Sequence, residues 1–227
     1  MKYAMSRRRR SFMAIVFTLA ALAVFVLDHS CVKQASVTSP QSVSAQQTSD
    51  IEKYDGRQFL VTKVVDGDTL DINIPDSNGV IRYPHTRIRL WGIDTPETKD
   101  PRLNGPMYFG PEASEFATTK ALRKTVTVYL DKDRSNRDKY HRLLGYIELP
   151  DGNFLNEELL SDGYAYADLR FKHSFYNKYK QLESLARSQK RGLWAGVTPE
   201  QMPQWKQKRE HLTAEHAETA ESAEVNN

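Results

Sequence analysis

Cysteine is almost missing from this chain: Cys31 stands alone among 227 residues, so no disulfide can close within it. Histidine is sparse as well, with 6 residues and no Cys/His cluster, which argues against a zinc centre. His211 and His216 are five apart, off the four-residue spacing that sets two ligands on one helix face. Strong net charge is also lacking. The total of +3 misleads, because Lys2 and Arg7 to Arg10 alone supply five positive charges. Residues 11–56 and 206–227 each sum to −2, which leaves only about +2 on residues 57–205. Bulk charge therefore does not mark a nucleic-acid partner, and locally placed arginines would have to do so. No internal repeat is present. With 39% hydrophobic residues, the length suits one domain of about 140 to 150 residues with extensions.

What is present begins with a targeting pattern. Arg7 to Arg10 precede Phe12 to Leu27, a run without charge and with Thr18 as its one polar interruption, and Asp28 and His29 follow. A basic flank before an apolar run sends the following chain into the secretory route. The run is short for a spanning helix and long for a cleaved signal, and no small-x-small site follows directly. Signal peptide and signal anchor both stay open, with exported or membrane-tethered as the expected location. Cys31 invites a lipoprotein reading, but Asp28-His29-Ser30 before it lacks the leucine and small residues that such a site wants. Residues 31–56, rich in Ser, Gln, Val and Thr, read as a flexible tether.

A folded domain is expected over residues 57–197, with a polar, acidic tail over 198–227. Five strand candidates are Gln58 to Val65, Asp68 to Ile74, Ile81 to Ile93, Thr125 to Leu130 and His141 to Leu149. Helices are expected over Pro111 to Lys124, Asn153 to Ser161 and Ser174 to Arg191. The fold class is α+β: a five-stranded OB-type β-barrel with three helices, preceded by the N-terminal hydrophobic signal or anchor helix.

Chemistry concentrates in Arg87 to Glu97, which reads R-I-R-L-W-G-I-D-T-P-E. Arginines alternate with apolar residues as on a half-buried strand, and Asp94-Thr95-Pro96 stops and turns it. With a two-residue period, Arg89 and Asp94 would face opposite sides unless Gly92 marks a bend that brings both into one cavity. Two further segments matter: Asp66-Gly67-Asp68-Thr69 at a strand junction, and Asp138-Lys139-Tyr140-His141-Arg142. Taken in order, the three motifs resemble the staphylococcal nuclease (thermonuclease) family, with D-G-D-T, then R-x-x-x-x-D-T-P-E, then D-K-Y-x-R. The resemblance runs from about Arg57 to Ala195 and takes in Tyr108-Phe109-Gly110-Pro111-Glu112-Ala113 and Asn156-Glu157-Glu158-Leu159-Leu160.

The resemblance implies an OB-type fold and calcium-dependent hydrolysis of DNA and RNA; a monomer is expected. The family's calcium-binding positions match Asp68, Asp94 and Thr95, its catalytic positions match Arg89, Glu97 and Arg142, and its nucleotide contacts match Lys139 and Tyr140. The residue types suit that work. Two carboxylates and a backbone carbonyl make a hard oxygen set of the kind calcium accepts. Two guanidiniums can neutralise charge building on a phosphoryl centre, and Glu97 can activate a water.

Duller readings stand beside these. Asp66 reads as a turn-forming hydrogen bonder or outer-shell group, Arg87 and Arg137 as surface charges, and Tyr140 as packing on the barrel. Leu169 and Phe171 fall where the family's nucleotide-stacking tyrosines lie, which puts base stacking in doubt. The alternative for the whole domain is a nucleic-acid-binding module without catalysis, which would be expected to lack Arg89, Glu97 or Arg142.

Overall fold

Alternation sets the strands. In Thr125–Tyr129 only Val126 and Val128 are buried, and in Thr86–Leu90 the buried positions are Thr86, Ile88 and Leu90 while Arg87 and Arg89 point the other way. The computed structural model describes residues 40–77, 82–99 and 105–212. The hydrophobic segment 12–27, Cys31 and the acidic run 214–224 lie outside the described residues.

Strands β1 (Arg57–Asp66), β2 (Thr69–Ile72), β5 (Thr86–Leu90), β8 (Leu143–Glu148) and β7 (Thr125–Tyr129) close a barrel in that spatial order. Its pairings are antiparallel except β5 with β8, where Arg89 stands opposite Leu144. Val61, Leu70, Ile72, Ile88, Val126, Val128, Leu143 and Ile147 fill the interior. Fully burying one such side chain is worth about 1.5–3 kcal/mol. Two short pairs flank the barrel: β3 (Asp76–Ser77) with β4 (Arg82–Tyr83), and β6 (Ile93–Asp94) with β9 (Tyr166–Ala167).

The third strand candidate is broken into β4, β5 and β6. Pro84, which lacks an N–H, lies in the first break, and the second is a turn at Trp91-Gly92. The three expected helices are α2 (Gly110–Ala121), α3 (Leu155–Ser161) and α4 (Tyr176–Ser188). Helix α2 buries Gly110, Ala113, Ala117 and Ala121, a small-residue face that lets it lie close against the barrel.

Both ends of the domain differ from the sequence expectation. Within the segment read as a tether, residues Pro40–Tyr54 form helix α1, and Asp50 and Tyr54 are buried. Within the segment read as a tail, a 3-10 turn (Pro199–Gln201) leads into a helical stretch at 204–212. Lys206 there donates to both oxygens of buried Glu183 on α4, at 2.8 and 2.7 Å. Composition named both segments polar, but a few anchoring side chains are enough to dock a polar helix.

Candidate active site

Arg89 leaves β5 on the face opposite Ile88 and Leu90. The chain then turns at Gly92, whose φ of +79° lies in the left-handed region and whose missing Cβ leaves room for the His173 ring. That bend folds Asp94 back over Arg89. One guanidinium consequently holds two carboxylates: Arg89 Nη1 lies 2.7 Å from Asp68 Oδ2, and Nη2 lies 2.5 Å from Asp94 Oδ1. Nη1 also donates to the Ile93 carbonyl at 2.9 Å.

Asp68 is pinned from other sides. Its Oδ2 accepts from the Thr95 backbone N–H at 2.9 Å and the Thr95 hydroxyl at 3.1 Å, while Oδ1 accepts from Thr69 Oγ1 at 3.0 Å. Asn156, fully buried at the start of α3, secures the turn by donating to the Trp91 carbonyl at 3.1 Å and accepting from Ile147 N–H at 3.1 Å. The Asn in that sequence motif thus ties a helix to the turn that shapes the site.

Glu97 is fixed by α2. Met107 N–H donates to the Glu97 carbonyl at 2.9 Å, and a Cβ on Gly110 would come within 2.5 Å of the same oxygen. Only glycine permits this approach. Burial, and next the hydrogen-bonded Asp66 carboxyl, push Glu97 up to about 7. Burial also pushes Asp94 up to about 6, outweighing the pull of Arg89, with repulsion from Asp68 adding to the rise. Asp66 itself accepts from Gly67 N–H at 2.8 Å, so it makes the turn and partners Glu97 together.

Arg142 arrives from the loop before β8. Asp138 organises that loop: one oxygen accepts the N–H groups of Tyr140 and Arg142, each at 2.9 Å, and the other accepts Arg142 Nε at 2.7 Å. Arg142 Nη1 then reaches to 3.5 Å from Thr69 Oγ1, beside Asp68. Tyr140 is 67% exposed, with Arg142 5.5 Å from its ring centroid, so it stands at the rim and does not pack on the barrel.

Asp68, Arg89, Asp94, Glu97, Lys139, Tyr140 and Arg142 line one open cavity of about 1090 Å³. Thr95 sits buried behind it against Asp68. Two supporting residues, Trp205 and Arg170, were not foreseen, and Phe171 stands where stacking was in doubt. Trp205 Nε1 donates to Asp94 Oδ2 at 2.7 Å. Arg170, bonded to Asp168 at 2.8 Å, lies 4.5 Å over the Trp205 ring. Phe171, 52% exposed, stacks on Trp91 at 6.0 Å, so an aromatic platform exists although no tyrosine hydroxyl is present there. Arg137 is not a surface charge, because Asp50 and Asp76 bury it between them. Arg87 is half-exposed but paired, donating to Asp71 at 2.7 and 2.9 Å.

Comparison with known proteins agrees with this architecture. The family model described as staphylococcal nuclease homologue matches residues 87–196. A thermonuclease of Staphylococcus hyicus is 31% identical over 151 residues, which span 66% of this chain and 82% of that protein. The chain belongs to the staphylococcal nuclease family. A thermonuclease of Staphylococcus intermedius is 36% identical over 141 residues, 61% of this chain and 77% of the relative. An uncharacterised endonuclease of Escherichia coli is 32% identical over 151 residues, 64% of this chain and 80% of the relative.

Membership in the staphylococcal nuclease family raises the question of calcium. Among the described residues no three His, Cys, Asp or Glu side chains stand together as a cage. What this family member offers is the Asp68 and Asp94 carboxylates with the Thr95 carbonyl. Arg89 pairs with both carboxylates and Arg170 stands 3.8 Å from Asp94 Oδ2, while Asp66 and Glu97 add further acid beside them. Burial is the main cause that raises Asp94 and Glu97, and repulsion among the neighbouring carboxylates adds to it. A hard cation with a shell completed by water fits that donor set.

Proposed function

We propose that this protein is a calcium-dependent nuclease that hydrolyses phosphodiester bonds of DNA and RNA and works outside the cytoplasm, released or tethered. The observation that supports the reading best is the flanking of Asp68 by two guanidiniums, Arg89 on one side and Arg142 by way of Thr69 on the other. A phosphodiester entering the cavity meets both. Neither arginine can deliver the reaction alone, since the charge that builds spreads over two non-bridging oxygens.

Asp68, Asp94 and the Thr95 carbonyl would hold the calcium, which when bound supplies positive charge beside the phosphate. The protein's own groups do the rest. Glu97, poised near neutrality, accepts a proton from water as the water oxygen forms its bond to phosphorus; the ester P–O bond breaks and the departing oxygen takes a proton from solvent. Arg89 stays charged, because Asp68, Asp94, Asp168 and Glu97 together offset its burial, and its acceptors hold it in place so that little reorganisation is left for the reaction. Arg142, with Nε taken by Asp138, turns its Nη edge toward the cavity. Tyr140 and Phe171 stand at the rim, where bases could lie on either ring.

The test is hydrolysis of DNA and RNA by the full chain across a calcium titration, beside Glu97→Gln. Cleavage should vanish with EDTA and in the variant while the circular dichroism spectrum is kept. Persistent hydrolysis without divalent ions would sink the calcium assignment. The export reading rests on the basic and apolar run of residues 7–27, and protease accessibility of the domain in intact cells checks it.

A further inference from the structure

Arg137 is the strongest feature that the proposed mechanism leaves unused. It sits in the loop that carries Asp138, Lys139, Tyr140 and Arg142 and borders the same cavity, yet its guanidinium is taken up by carboxylates of two other elements. It donates to Asp50 on α1 at 2.8 and 2.7 Å and to Asp76 on β3 at 2.6 and 3.0 Å. A bond to the His141 carbonyl at 3.0 Å fastens the loop's own turn, where His141 takes a left-handed φ of 63°. Tyr54, one helical turn beyond Asp50, donates to Asp76 at 3.1 Å and closes the arrangement from below. Nearer the start of α1, Gln47 Nε2 donates to the carbonyls of Lys132 and Arg134, at 3.1 and 2.6 Å.

Two of these side chains hold the same loop. Gln47 and Asp50 reach the backbone and the arginine of one loop, while Lys53 and Tyr54 hold the Pro75 carbonyl and Asp76 beside it, and residues of that loop line the cavity. We propose that α1 is a positioning element of the active site, with Gln47 and Asp50 gripping the loop 132–141 through Lys132, Arg134 and Arg137 so that Arg142, Lys139 and Tyr140 are presented in one arrangement. The helix stands before the first barrel strand and outside residues 87–196, which the family model matches. Catalytic competence of the domain therefore depends on a segment immediately preceding it. The consequence for activity rests on the nuclease reading given above, whereas the consequence for loop order does not.

The experiment uses the full chain and the double variant Gln47→Ala/Asp50→Asn, with amide hydrogen exchange as the first readout. Exchange at Tyr140, His141 and Arg142 should rise about tenfold or more, while amides of Leu70 and Ile88 in the barrel keep their rates. Affinity for a single-stranded oligodeoxynucleotide in EDTA should weaken about tenfold, and KM should rise more than kcat falls. Unchanged loop exchange, or exchange that rises evenly across the barrel, overturns the proposal, since a purely structural helix would give one of these. If the double variant does not fold, half-buried Gln47→Ala alone decides by the same loop readout. Loop loosening in a protein that cleaves nothing even as wild type would keep the positioning role and discard the nuclease reading. Cleavage by a wild type whose loop ignores both substitutions would do the reverse.

Discussion

Replacing Trp205 with Phe tests the site through a residue far from it in sequence. The indole N–H donates to Asp94 Oδ2 at 2.7 Å, and the ring lies against Arg170. Phenylalanine keeps an aromatic face for the arginine and removes the donor together with part of the indole's packing area. Asp94 then loses one of the groups that favour its ionised form, in a position where burial already pushes it up to about 6. A hydrogen bond to a charged group contributes about 1.5–3 kcal/mol. At about 1.4 kcal/mol per factor of ten, calcium affinity should fall roughly 10–100-fold, the range known for partners that orient a metal ligand. Calorimetric titration of calcium into the full chain at neutral pH, for wild type, Trp205→Phe and Asp94→Asn, provides the measurement. The reasoning is refuted if Trp205→Phe binds calcium as the wild type does while Asp94→Asn loses it. A raised affinity would refute it equally, since the indole would then be competing with the ion for the carboxylate.

Other perturbations follow from the same contacts. Arg89→Lys should lower kcat by about 10²–10³, because one ammonium cannot span both carboxylates and a phosphate oxygen; steady-state cleavage kinetics measure it. Gly92→Ala forces a left-handed φ on alanine and places a Cβ 2.4 Å from the His173 ring, so it should cost about 2–5 kcal/mol in urea unfolding. His173 is held down to about 4 from an ordinary 6.5 by burial, which outweighs Asp131 and Asp168. Between those values the unfolded chain binds a proton that the native one does not, so stability is present above pH 6.5 and is lost as pH falls through 4. The loss is about 3 kcal/mol, and unfolding of wild type and His173→Gln across this window should converge by roughly that amount.

Much of the barrel was legible because its signals are local. Val126 and Val128 alternate with polar residues, and the arginines of β5 alternate with Ile88 and Leu90. The bend at Gly92 was legible too, because two-residue parity places Arg89 and Asp94 on opposite sides without it. Trp205 and Asp50 were not legible. Each acts through a partner more than eighty residues away, Asp94 and Arg137 respectively, and nothing in a polar stretch announces which single side chain will dock. Arg137 looked like a surface charge for the same reason: its burial depends on carboxylates from two distant elements. A proline, Pro84, and a left-handed glycine divided the long third strand, and strand propensity alone does not weigh such interruptions.

The parallel seam between β5 and β8 has a consequence for when the molecule becomes dangerous. Arg89 lies on β5 and Arg142 in the loop that leads directly into β8, so the two are brought together across that seam, and Asp94 gains its indole partner later still in the chain. A nascent polypeptide that has emerged only through Leu130 carries the acidic residues and one arginine but cannot assemble the pair. If the nuclease reading holds, a chain stalled before β8 should cleave nothing, since its two guanidiniums cannot yet share one phosphate.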